Sequence, residues 1–210
     1  MTGAITNLDT KVSVPGVTVD ADSGKHRAIT DAQGRWTIPQ LPKFRPFTPT
    51  LSANDFVTIT WQEYILLGDF DRGGFELAPL SRAQASRGRI ADYDPNKGVQ
   101  HFTLVNLGNC DDPSGGTVVV PPGSSARVKY FKDGRLSDAP SISAHDDPQV
   151  YFYNVDLDKP LEYELVHPTC KLVPFPVKVG NVIYTGKMPV EAAGRLDGPL
   201  NGSFSRIFVR

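Results

Sequence analysis

The chain has 210 residues, of which 40% are hydrophobic and 21% charged; 22 Lys and Arg stand against 23 Asp and Glu, for a formal net charge of -1. With 19 glycines and 18 prolines the composition excludes an all-helical protein, and the apolar fraction is too high and too regularly placed for a disordered chain. Near-neutral charge argues against a nucleic-acid partner or an anionic lipid surface, and no apolar run approaches the roughly 20 residues of a transmembrane helix.

Taken in chain order, the first half reads as short strands between turns. Gly3-Ala4-Ile5 opens a strand, Pro15-Gly16 punctuates, and Val17-Thr18-Val19-Asp20 alternates apolar with polar. Asp22-Ser23-Gly24 predicts a hairpin turn and Asp31-Ala32-Gln33-Gly34 a second one, followed by Arg35-Trp36-Thr37-Ile38 with Trp36 and Ile38 inward. Four prolines between 39 and 49 suit an extended loop. Strands are expected again in 56–61, 64–67 and 75–77. The small, polar, basic run from Ser81 to Gly88 breaks the alternation and predicts a boundary, with room for a single helical turn.

The second half repeats the style. Strands are expected at 101–105, 117–120, 127–131, 150–153, 163–166, 177–179 and 181–184, and in the alternating tail from Ser203 to Val209. Residues 28–41 can be laid on residues 142–155, each a polar turn, an aromatic strand and a polar residue before an apolar one, as in distant copies of one unit. The predicted architecture is all-β: two tandem antiparallel β-sandwich domains over residues 1–80 and 91–210, joined by a linker at 81–90. Trp36, Trp61, Phe102, Phe131 and Phe152 are the expected core aromatics. If Phe152 points inward, Tyr151 and Tyr153 form a stripe on the other face, a candidate contact surface or a place where the two bodies meet.

The first 41 residues resemble the carboxypeptidase regulatory-like domain, a transthyretin-like (Ig-like) β-sandwich. The likeness rests on Gly3-Ala4-Ile5, on Pro15-Gly16-Val17-Thr18-Val19, and on Thr30-Asp31-Ala32-Gln33-Gly34-Arg35-Trp36-Thr37-Ile38. In that signature Gly16, Asp31 and Gly34 shape turns and Trp36 anchors the core. The second half departs from it, because its turn reads His145-Asp146-Asp147-Pro148. The tandem arrangement is similar to exported bacterial envelope proteins, lipoproteins included. The resemblance implies a structural, adhesive or carrier module with a protein or glycan partner, no catalytic residues and no cofactor.

The two cysteines, Cys110 and Cys170, belong to no CxxC pair. They fit one long-range disulfide of an exported protein, or else two buried thiols of a cytosolic assembly protein. The start Met1-Thr2-Gly3 carries no basic and apolar leader, so export implies a signal sequence, or a lipid anchor, ahead of residue 1. No His has Glu three residues on, as carboxypeptidase zinc chemistry needs. A serine elbow, a P-loop and a dinucleotide fingerprint are also missing. The rival reading is a metal-dependent enzyme on a sandwich scaffold, similar to an intradiol dioxygenase, built from His145, Asp146, His167 and Tyr151, Tyr153 or Tyr163. Asp20, Asp22 and Asp31, with Asp69, Asp71, Asp111-Asp112 and Asp146-Asp147, are calcium candidates that serve equally well as turn formers, and no metal is assigned. Arg35, Arg45, Arg72, Lys43 and Lys25 are expected on a solvated surface, since residues 1–88 balance nine basic against nine acidic side chains.

Overall fold

The computed structural model describes residues 1–21, 24–108, 110, 112–143 and 148–210. Asp22, Asp111, His145, Asp146 and Asp147 therefore lie outside the described residues. The first half contains β1 (Thr2–Asn7), β2 (Thr18–Ala21), β3 (His26–Ile29), β4 (Arg35–Thr37), β5 (Pro46–Phe47), β6 (Pro49–Ser52), β7 (Thr58–Trp61), β8 (Tyr64–Leu66) and β9 (Asp71–Leu77). After helix α1 (Leu80–Arg87) come β10 (Gly98–Asn106), β11 (Thr117–Val119), β12 (Arg127–Lys132), β13 (Arg135–Ser137), β14 (Gln149–Val155) and β15 (Glu164–Val166). The chain ends with β16 (Val177–Val179), β17 (Val182–Tyr184) and β18 (Asn201–Val209). The protein is nearly all β, as its alternating segments predict. No helix among the described residues is long and apolar enough to cross a membrane.

The turn chemistry follows from the residues. Asp31 Oδ1 accepts the backbone N–H groups of Gln33 and Arg35 at 2.9 and 2.8 Å, and Gly34 N–H donates to the Asp31 carbonyl at 2.9 Å. Gly34 sits at φ +71°, and a Cβ there would come within 2.3 Å of the Ile5 carbonyl oxygen, so only glycine fits. Gly16 also takes positive φ, +76°, and its N–H donates to the Thr30 carbonyl at 3.0 Å. The turn delivers Trp36, 3% exposed, into the core between exposed Arg35 and Thr37. Its ring lies against Gly3, where a Cβ would meet it at 2.8 Å.

The strands form a three-stranded sheet β4-β1-β9, a nine-stranded sheet β13-β12-β14-β10-β18-β7-β6-β2-β3, a four-stranded sheet β16-β17-β8-β5 and the pair β11-β15. The sheets are mixed rather than purely antiparallel: β1 runs parallel to β9, and β18 runs parallel to both β10 and β7.

Strand pairing does not divide at residues 81–90. The last strand, β18, lies between β10 and β7 and joins the two halves in one sheet, while β17 pairs with β8 of the first half. The segment expected as a linker is α1 with a buried Arg87, whose guanidinium donates to the carbonyls of Ala193 at 2.9 Å and Asn201 at 2.8 Å. The physical reason is the tail's alternation, which apolar residues carry on both faces. Phe208 belongs to a core with Ile5, Trp36, Leu51 and Trp61, whereas Ile207 and Val209 belong to a second core with Phe102, Phe152 and Leu165. The segments 28–41 and 142–155 hold unlike places as well, since β4 is the edge of the small sheet and β14 lies inside the large one.

Candidate functional site

One face of the large sheet forms the floor of a cleft of about 650 Å³, bounded by β9, α1 and the β12–β13 hairpin. Its floor is set by register. Lys129 lies opposite Tyr151, Tyr151 opposite His101, His101 opposite Phe204 and Phe204 opposite Trp61, one row across β12, β14, β10, β18 and β7. The neighbouring row places Gln149 and Arg206 on either side of Thr103.

β9 brings the wall. Its pairing with β1 shifts register, with Thr2 opposite Asp71 but Ala4 opposite Gly74. This is a bulge, with Gly73 at φ +73°. Strict alternation would put residues 72 and 75 on opposite faces; the extra residue turns both toward Trp61. Phe75 packs edge-on against Trp61 at 5.3 Å and against Phe204 at 5.2 Å. The Arg72 guanidinium carbon lies 4.9 Å from the Trp61 ring centroid.

Arg72 was expected on a solvated surface and is instead 7% exposed. Its Nε has no hydrogen-bond partner among the described residues, while its guanidinium is hydrogen-bonded to the Tyr64 hydroxyl. The groups whose charge bears on it are the phenols of Tyr64 and Tyr184 and the guanidinium of Arg206; no carboxylate is among them. Burial, with the Arg206 charge adding to it, lowers the Arg72 ionisation below the usual arginine range, while Tyr64 and Tyr184 oppose that shift. Burial also pushes the Tyr64 hydroxyl up, so that phenol stays neutral. Arg206 donates to the Tyr184 hydroxyl at 3.2 Å. The other cations of the cleft are committed: Lys11 to Glu76 at 2.7 Å, Arg82 to Asp9 and to the Gly134 carbonyl, and Arg87 to its two carbonyls.

His101 is stacked on Phe131 at 4.8 Å and edged by Phe204 at 5.3 Å. Its Nε2–H donates to Gln149 Oε1 at 2.8 Å. Burial pushes the imidazole down to about 4, against a smaller opposing effect of that hydrogen bond, so it is neutral near pH 7.

The stripe expected at Tyr151 and Tyr153 is not exposed: each is 7% accessible. Phe152 does face the second core, but the opposite face of β14 is covered too, by Ile90, Val99 and Ala193. The Tyr151 hydroxyl lies beside Arg87 but meets no partner in hydrogen-bond geometry, and burial raises its ionisation.

The tyrosines of the metalloenzyme reading do not converge. Tyr163 packs on Phe102 and Phe152, across the sheet from Tyr151 and Tyr153, and burial raises its ionisation. His167 belongs to the cysteine loop: its Nδ1 accepts the Cys170 N–H at 2.9 Å and its Nε2–H donates to the Ser114 carbonyl at 3.2 Å. Cys110 and Cys170 are buried and joined in a disulfide, with Cα atoms 4.8 Å apart. Of the described calcium candidates, Asp20, Asp31, Asp71 and Asp112 act in turns, and Asp69 lies 3.9 Å from Lys43. Asp20 accepts the Gly24 N–H, Asp71 the Gly73 N–H and Asp112 the Ser114 N–H and hydroxyl. Among the described residues no three His, Cys, Asp or Glu side chains are grouped to hold a metal.

No protein-family model matches the chain, and no curated protein matches it. Among solved structures, the Bacillus anthracis TIE protein is similar at 13% identity with a TM-score of 0.27. The likeness covers all of this chain and 33% of that one, so the chain spans about a third of its length.

Proposed function

We propose that this chain is a non-catalytic binding or structural module of an exported bacterial cell-envelope protein, and that it meets a protein or glycan partner through the cleft, to whose floor Tyr151 contributes. The observation that carries the reading is the cleft itself: about 650 Å³, within the usual size of a ligand site, walled by aromatic rings and holding two arginines without an acidic partner among the described residues. An extracytoplasmic setting is supported by the disulfide between two buried cysteines. The likeness of the first 41 residues to the carboxypeptidase regulatory-like domain points to the same class of module.

The test is a binding assay on purified bacterial cell-wall polysaccharide, with the native chain and Thr103→Trp, which fills the cleft floor from a half-buried strand position. Native protein is expected to be retained. The variant should lose at least about tenfold in affinity with an unchanged melting curve. Equal retention of both, or release of new reducing ends by the native chain, would overturn the reading.

A further inference from the structure

We infer that the Arg72–Arg206 end of the cleft is a binding site for a carboxylate-bearing sugar residue of an acidic polysaccharide. The inference rests on the cleft being the contact surface and names the ligand class for it. A buried guanidinium normally has a carboxylate or a full set of carbonyl acceptors, because an uncompensated charge out of water is costly. Arg87, in the same cleft, has its two carbonyls. Arg72 has a ring beneath it, a bare Nε, a hydrogen bond to the neutral Tyr64 hydroxyl and a second cation near it, but no anion among the described residues. Such an arrangement lacks one anion, and an incoming oxyanion would supply it.

The surroundings choose among oxyanions. The guanidinium of Arg72 lies over the Trp61 ring, and a carboxylate can pair with a guanidinium edge in one plane, two N–H groups to two oxygens. Next to this pair the cleft offers what a pyranose ring uses. The rings of Phe75, Phe131 and Phe204 can meet its C–H face, and the side chains of Gln149 and Thr103 can meet its hydroxyls. An extended peptide would instead seek a free strand edge. Two edges border this side: β9, where the bulge at Gly73 breaks the ladder a peptide would need, and β13, which is only three residues long.

The same reasoning predicts how the site behaves empty. Arg72 is held there at a cost to the fold, so Arg72→Met, close in volume and uncharged, should leave the thermal midpoint of the free protein unchanged or higher while removing binding.

The experiment is titration calorimetry at 0.05 and 0.15 M salt with oligogalacturonate, the neutral galactose oligomer and inorganic phosphate as probes. Oligogalacturonate should bind at least about tenfold more tightly than the neutral oligomer and weaken as salt rises. Arg206→Gln, at a partly exposed position, should cost about tenfold or more, a typical effect of removing one charge-assisted bond, and its melting curve reports separately on the lost bond to Tyr184. Equal affinity for acidic and neutral oligomers, or no loss in Arg206→Gln, would overturn the inference. Phosphate binding as tightly as the uronate would also overturn it, in favour of a phosphate ligand. Retention of wall polysaccharide that Thr103→Trp abolishes, without any preference for the acidic oligomer, would sink this inference and leave the module reading standing. Wall binding unaffected by Thr103→Trp would sink both.

Discussion

At the scale of single residues, the cleft owes its character to side chains whose environments differ sharply from their ordinary ones. His101 gives the clearest consequence. In the unfolded chain an imidazole takes up a proton near 6.5; in the fold, pressed between Phe131 and Phe204, it does so only near 4. Between those values the unfolded chain binds a proton that the native chain does not. The stabilising contribution of the neutral His101 is therefore complete above about pH 6.5 and is lost as the pH falls toward 4. The gap corresponds to on the order of 3 kcal/mol. Urea denaturation of the native chain and of His101→Gln at pH 7.5, 6, 5 and 4.5 checks this. The native chain should lose stability relative to the variant as pH falls, whereas parallel pH profiles would contradict it. The turn residues of the first half were legible from sequence because their constraints are local: Asp31 caps backbone N–H groups two and four residues ahead, and Gly34 faces a carbonyl that excludes a side chain. Arg72 was not legible. A single arginine among glycines and acids reads as solvated, and only the contact with Trp61 turns it inward.

At the scale of elements, the alternation of apolar residues predicts most strands and fails where a second layer or a bulge intervenes. β14 shows the first failure. A strand with Val150 and Phe152 on one face and Tyr151 and Tyr153 on the other reads as half-exposed, but the residues that cover the tyrosines, Ile90 and Ala193, come from distant loops. β9 shows the second, since nothing in Asp71-Arg72-Gly73-Gly74-Phe75 fixes which residue the ladder skips. The disulfide is an element-scale device as well. It ties the loop after β10 to the segment following β15, across a sequence separation of 60. Closing a loop of that length removes conformational freedom from the unfolded chain worth up to about 4 kcal/mol in the loop-entropy model, and commonly about 2–4. Reduction under mild denaturant should lower the unfolding free energy by that amount and shift the midpoint down accordingly. Cys110→Ala/Cys170→Ala should show the same loss without reductant. An unchanged midpoint in both would contradict the role given to the bond.

At the scale of the molecule, the tail strand decides the architecture. Its nine residues alternate between two cores, and its two neighbours, β7 and β10, lie on either side of the 81–90 segment, so the sheet is continuous where the sequence suggests a linker. A boundary read from composition at 81–90 cannot anticipate this, because the pairing partner of β7 lies more than a hundred residues further on. The consequence reaches the cleft: β7 and β9 supply Ile59, Arg72 and Phe75, while β10, β14 and β18 supply His101, Gln149 and Arg206, and neither half contains the site alone. The most direct test is native-state hydrogen exchange read residue by residue. If β18 locks the halves together, the amides of β7, β18 and β10 should exchange at one common rate, the slowest in the molecule. Rapid exchange along β18, or separate and well-resolved rates for the strands on its two sides, would contradict the account.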